Sequence, residues 1–204
     1  MVDTVSVTGP AAPASESTRG RIVAAGVELL DASGIEGVGL RAIARRAGVS
    51  HGAPRRYFPT HAELLAAIAR TGIDDLAQRV RPPLRDHSRE PRDRLLAAAL
   101  AYLEFARSRR AMFELMFRHD ILDGAGGDLR QVSLPLLSEW QSALADLVGD
   151  AQSWPRALQL WASLHGLAVL VANRALEPIE SVVRVDVEAL AERMLDAATG
   201  APTA

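Results

Sequence analysis

The sequence predicts an all-α chain: a three-helix N-terminal module containing a helix-turn-helix, then a larger helical bundle, about nine helices in total. Three observations point there. Hydrophobic residues make up 49% of the chain but aromatics only 4%, so the core must be built from Ala, Leu, Val and Ile, a mixture rich in helix formers. Apolar residues recur at i, i+3, i+4 and i+7, and no segment alternates with period two for long. Gly and Pro punctuate the chain at intervals suited to helices rather than strands.

The elements follow in order. Residues 1–17 hold scattered Gly, Pro, Ala and Ser without a basic segment leading into an apolar run, so they read as a disordered tail and not a secretory signal. Thr18 can cap a first helix to about Ala32, with Ile22, Ala25, Leu29 and Leu30 on one stripe and Gly34 closing it. A second helix runs from about Leu40 to Ala47 and stops at Gly48, where a turn needs positive φ. Ser50 can cap a third to about Phe58. Thr60 caps a fourth carrying Leu64, Leu65, Ile68, Leu76 and Val80, ended by Pro82 and Pro83.

Pro91 suits the first turn of a fifth helix bearing Leu95, Ala99, Tyr102, Leu103 and Ala106. Residues 112–117 are apolar nearly all round and form a buried sixth. Asp123 to Asp128, with three Gly, is a loop. Leu136, Leu137, Trp140, Leu144 and Leu147 mark a seventh helix, with Pro135 in its first turn or kinking it. Residues 154–176 form the eighth, and Val187, Leu190, Ala191, Met194, Leu195 and Ala198 give the ninth its stripe.

Charge is divided unevenly. The net charge is −2, yet no acid lies between Glu36 and Glu63, an interval carrying Arg41, Arg45, Arg46, Arg55 and Arg56. A basic patch on an acidic body is the footprint of a nucleic-acid contact. Arg45 and Arg46 also fit a solvated helix face. All 23 basic residues are Arg, and Cys is absent, which removes disulfides, thiolate metal sites and Cys nucleophiles and fits a reducing compartment. Charges interrupt every apolar stretch before a membrane span is reached, so a cytoplasmic protein without membrane contact is expected.

A helix, a Gly turn and a second helix within residues 40–58 form the unit that inserts its second helix into a major groove. The run LRAIARRAGVSHGAPRRYFPTHAELL, residues 40–65, resembles the signature of the TetR family of transcriptional regulators. The likeness covers residues 18 to about 70, and the cluster Trp161, His165, Gly166 is similar to a Trp-His-Gly element in one subset of the family. It implies a DNA-binding domain over 18–62 and a ligand-binding and dimerisation domain over 63–200. By position it implies Arg41, Ser50, His51, Gly52, Ala53, Arg55, Arg56, Tyr57, Thr60 and His61 at the DNA. Arg can pair bidentately with guanine, and Ala53 could touch a thymine methyl.

Four residues depart from the usual pattern. Pro54 stands where Leu is common, so the recognition helix is expected to lose a backbone hydrogen bond, and Arg55 stands where Tyr is common. His61 replaces a frequent Lys, and Gly39 replaces a hydroxyl cap.

Such modules read two half-sites of a palindromic operator as symmetric dimers. The resemblance places Leu167, Val171, Val187, Leu190, Met194 and Leu195 at the homodimer interface, although the last helix's stripe could equally pack on its own core. It also implies a largely apolar small-molecule effector lined by Tyr102, Phe105, Phe113, Met116, Phe117, Trp140, Trp161, His165 and Asn173, with His119 as a further polar candidate. His165 fits a core contact as well as an anchor. Ligand binding would shift a repressor away from its DNA-competent state, with the fourth helix as the link.

No cofactor or metal is expected. The sequence lacks a P-loop, a dinucleotide fingerprint, an H-E-x-x-H pair and a G-x-S-x-G elbow, which argues against an enzyme. A structural DNA-binding protein would need a broader basic surface.

Overall fold

The structure, a computed structural model, describes residues 17–200; the expected tail lies outside them except for Ser17. The described residues form eleven α-helices and one short 3₁₀ turn, and no strand occurs among them.

Helix α1 spans Thr18–Ser33. Its cap is Ser17, not Thr18: the Ser17 hydroxyl accepts from the Gly20 N–H at 3.1 Å. Gly34 closes it, and a 3₁₀ turn, Ile35–Gly37, leads to α2, Leu40–Arg46. Gly48 then adopts φ 63°. Its N–H donates to Arg45 O at 3.3 Å and that of Val49 to Ala44 O at 3.0 Å, the pair of bonds that ends a helix over a left-handed residue.

Helix α3 is shorter than the sequence suggests, Ala53–Tyr57. Ser50 does not cap it. The carbonyl of Ser50 takes the Ala53 N–H at 2.9 Å, and residues 51–52 form the turn instead. Pro54 is therefore the helix's second residue, where the N–H has no intrahelical partner in any case. The expected loss of a hydrogen bond does not occur.

Thr60 caps α4, His61–Arg85, by accepting from the Glu63 N–H at 3.1 Å. The helix runs through Pro82 and Pro83 rather than ending there. Both prolines fall in its last turn, where each withholds one donor from the turn before it and the helix ends at Arg85. Val80 and Leu84 are buried on either side, and Arg81 and Arg85 both reach Glu139, at 2.9 and 3.0 Å.

The rest of the bundle is α5 (Pro91–Ser108), α6 (Arg110–Met116), α7 (His119–Leu122), α8 (Arg130–Val148), α9 (Asp150–Ala172), α10 (Glu177–Glu180) and α11 (Val187–Thr199). The four-residue helices α7 and α10 were not expected. Pro135 lies inside α8, beyond its first turn. Helix α9 begins and ends four residues before the predicted range, giving way to Asn173 and to Arg174 at φ 56°.

One continuous core joins the two parts. Ile22, Leu30, Ile43, Leu64 and Ile68 fill the N-terminal end; Leu95, Phe105, Met112, Leu115, Leu144, Leu160 and Leu195 fill the bundle. Helix α4 belongs to both. At Gly72 it admits α6 so closely that a Cβ would lie 2.5 Å from Met112.

Candidate nucleic-acid interface and effector cavity

The turn at Gly48 and the packing of Ile43, Ala53 and Phe58 hold α2 and α3 against α1 and α4. Ala53 and Pro54 are buried, so Ala53 is spent on the core and cannot meet a thymine methyl, contrary to the sequence reading. That leaves Arg55, Arg56 and Tyr57 projecting from α3, with Ser50, His51 and Gly52 exposed in the turn and Arg41 exposed on α2. Thr60 and His61 lie exposed at the start of α4.

Among the described residues, Arg41, Arg45, Arg55 and Arg56 form no ion pair, whereas Arg46 is held by Glu28 at 2.6 Å. Four exposed guanidiniums on α2 and α3 are thus without an ion pair among the described residues. His61 is partly committed: its Nε2–H donates to the Val38 carbonyl at 2.6 Å, fixing the ring while leaving Nδ1 outward. The guanidinium of Arg19 sits 4.9 Å above the Phe58 ring, fastening the start of α1 to the end of α3.

In the bundle, a cavity of about 510 Å³ opens among α4, α6, α8, α9 and the loop after α7. Of the residues the sequence proposed, Tyr102, Met116, Phe117, Trp140 and Trp161 line it, as does His119. Phe105, Phe113, His165 and Asn173 do not. Phe105 is fully buried beneath the Arg79 guanidinium, 5.5 Å from its ring; Phe113 packs behind Phe117, ring centroids 5.0 Å apart; Asn173 is exposed at the end of α9.

His165 stands behind the wall. Burial pushes the Tyr102 phenol far above its ordinary range, and its hydroxyl shares a hydrogen bond with His165 Nδ1 at 2.9 Å. Burial, helped by His119, lowers the pKa of the His165 ring. It is stacked on Trp161 at 5.4 Å and lies 4.3 Å from Phe117.

Much of the wall went unread in the sequence. Leu76 and Leu136 stand in the sequence only as helix-stripe residues and Ile73 and Leu164 carry no assignment there, and beside His119 the polar groups Asp123, Asp128, Arg130, Gln131 and Ser133 come from the segment that follows it. Their clustering had one visible sign, a Gly-rich break beside an amphipathic helix. Arg70 of α4 fixes this segment by donating to the carbonyls of Gly127 and Asp128 at 3.3 and 3.5 Å.

Leu167 and Leu195, expected at a dimer interface, are 3% and 1% exposed; both are taken up by the chain's own core. The apolar side chains left on the surface of α9 are Trp154, Leu158, Trp161, Val169 and Leu170.

A helix-turn-helix presenting free arginines, joined through one long helix to a body enclosing an apolar cavity, defines a DNA-binding transcriptional regulator with a ligand-binding C-terminal part. Residues 22–68 match the family described as bacterial regulatory proteins, tetR family, and residues 95–198 match the tetracyclin repressor-like C-terminal domain; the chain belongs to the tetR family.

A curated relative, the HTH-type transcriptional activator FasR of Mycolicibacterium smegmatis, is 31% identical over 105 residues, 52% of this chain and 48% of the relative. The chain thus matches about half the length of that relative. A protein of unknown function from Rhodococcus sp. RHA1 superposes with a TM-score of 0.74 at 26% identity, covering 90% of this chain and 94% of the other. A transcriptional regulator from the same organism gives a TM-score of 0.64 at 26% identity, covering 89% and 95%. No helix among the described residues is long and apolar enough to cross a membrane.

Proposed function

We propose that the chain acts in the cytoplasm as a homodimeric repressor, bound to a palindromic operator and released when a largely apolar small molecule fills the cavity. The observation that carries this reading is the pairing of four unpartnered arginines at one end with a 510 Å³ apolar cavity at the other, along one helix. Residues 18–62 form the DNA-binding unit and 63–200 the sensing and pairing unit.

Arg41 and Arg55 are assigned to base edges or the groove wall, with Ser50, His51 and Gly52 at the turn. Arg56, Tyr57, Thr60 and His61 are assigned to phosphates, since exposed cations and a helix N-terminus suit anions. The partner copy packs on the exposed face of α9 together with Val171, Val187, Leu190 and Met194, which remain only partly buried. The cavity binds without catalysis, metal or cofactor.

Release is population shift: an effector that favours the conformer with misplaced recognition helices lowers operator affinity by about 5–150-fold for a coupling of ~1–3 kcal/mol. The test is selection of genomic fragments by the purified protein at two salt concentrations, followed by a reporter under the selected site. A salt-resistant palindrome with reporter output rising on gene deletion supports the reading. Binding without a motif, collapsing with salt, sinks it.

Activation is the second reading, favoured by the printed name of the curated relative. Under it the reporter falls on deletion, while the palindrome and the cavity keep their roles.

A further inference from the structure

Among the described residues, α6 packs on α1 as well as on α4. Arg109 makes the charged part of that contact. It caps α6, its backbone N–H donating to Phe105 O at 2.8 Å and its carbonyl accepting from Phe113 N at 2.8 Å, so its Cα is fixed by both neighbouring helices. From there the guanidinium forks. Nε and one terminal nitrogen donate to the two oxygens of Asp31 at 3.3 and 3.0 Å, and the other terminal nitrogen donates to Asp75 at 2.9 Å. Asp31 is two residues from the end of α1, and Asp75 is midway along α4.

We propose that Arg109 is a positioning residue for DNA recognition: by clasping Asp31 and Asp75 it fixes the tilt of α1 on α4, and hence the separation of the two recognition helices in the dimer. This rests on the dimeric reading above.

The geometry supports a setting role over a merely stabilising one. Helix α3 packs on α1 and is tied to it by Arg19 over Phe58, so rotation of α1 about α4 carries the recognition helix with it. The core between α1 and α4, to which Ile22 and Ile68 contribute, resists separation but has no direction, because apolar packing is non-directional. A planar guanidinium with two carboxylates has a required geometry. Asp31 bonds to no other side chain among the described residues, so this pair acts between elements and not within one. The same α6 presents Met116 to the cavity and presses Met112 on Gly72; an effector that moves α6 acts on the clasp directly.

The test selects binding sites from a random duplex library with full-length wild type, Arg109→Ala, Asp31→Asn and Arg109→Lys, and compares half-site sequence separately from half-site spacing. Wild type is expected to return one spacing. Arg109→Ala and Asp31→Asn are expected to return the same half-sites at more than one spacing, with affinity for the wild-type site about threefold lower, as befits a partly exposed ion pair. The double variant is no worse than either single one. Arg109→Lys, a point charge that cannot fork to two carboxylates, falls between.

Asp31→Asn keeps the test decisive should Arg109→Ala unfold, since Asp31 lies at the surface. Wild-type spacing retained in folded Asp31→Asn and Arg109→Ala overturns the proposal, as does a change of half-site sequence. A wild type that selects no palindrome removes the dimeric reading and this one with it.

Discussion

The same residue type does opposite work at the two ends of the molecule. On the recognition face Arg41, Arg45, Arg55 and Arg56 are without ion-pair partners among the described residues. In the bundle Arg70, Arg79, Arg81, Arg85, Arg92, Arg94 and Arg109 are each bonded to a carboxylate. Several of these join different helices: α4 to α8 through Glu139, α5 to α11 through Asp196 at 2.7 Å, and α5 to α8 through Asp146 at 3.2 Å. Pairing state alone does not mark the recognition face, since Arg110, Arg130, Arg184 and Arg193 of the C-terminal part are also exposed and without an ion pair among the described residues; position on the helix-turn-helix is the second condition.

The largest effect expected from that contrast is on DNA. Replacing Arg41, Arg55 and Arg56 together by Ala should lower operator affinity by at least about a hundredfold, each contact being worth ~1–3 kcal/mol. Unfolding free energy should stay within about 0.5 kcal/mol of wild type. Anisotropy titrations and urea unfolding read the two quantities separately, and a matching loss of stability would break the division between free and structural arginines.

Arg94 is the opposite extreme. Nearly buried, it donates to the Leu84 carbonyl at 3.1 Å, to His87 Nδ1 at 3.2 Å and to Asp146 at 3.2 Å. Arg94→Met should cost about 2–3 kcal/mol in urea unfolding, because charge-assisted bonds are lost and a buried carbonyl is left without its donor. Operator affinity should not change. A shift in affinity would show that the far end of the bundle also sets the recognition helices.

His165 gives a smaller effect with a defined sign. Its pKa is lowered in the fold from the ordinary 6.5, so the unfolded chain binds the proton more readily. Stability is unaffected well above pH 6.5 and falls as pH drops through that value toward the folded pKa. With the ring half exposed, the loss between pH 7.5 and 5.5 should be below about 1 kcal/mol. His165→Gln should flatten that part of the urea-midpoint profile, and an unchanged slope would place the titration elsewhere.

Arg107 should do least. Its partner is Glu104 on the same helix and both are largely exposed, so Arg107→Ala should alter stability by under about 0.5 kcal/mol. A larger loss would mean that pairing alone, without burial or a second helix, makes an arginine structural.

Legibility in the sequence follows the range of the interactions. The turn at Gly48, the Thr60 cap and Pro91 at the head of α5 depend on neighbours within a few residues, and each is where the sequence puts it. The HTH and the all-helical body follow from the same local rules. The cavity wall depends on which stripes face each other, so Tyr102 and Trp161 were found while Phe105 was misplaced from the core. Periodicity marks a buried face without saying what buries it, hence the misreading of Leu167 and Leu195.

Ala53 failed for a related reason: the helix starts two residues later than a Ser50 cap predicts, so Ala53 opens it and its side chain is taken into the core. The clasp at Arg109 links residues 78 positions apart, and no local pattern announces it. Pro82 and Pro83 were read by their intrinsic preference, which tertiary packing of Leu84 overrode.

Pro54 has a consequence for the chain before it folds. A helix of five residues is far too short to hold itself together in water. By locking φ near the helical value, a proline at its second position removes conformations from the unfolded ensemble, an advantage of about 0.4–1 kcal/mol where the native backbone accepts it. The segment that meets DNA therefore owes part of its shape to freedom the unfolded chain never had.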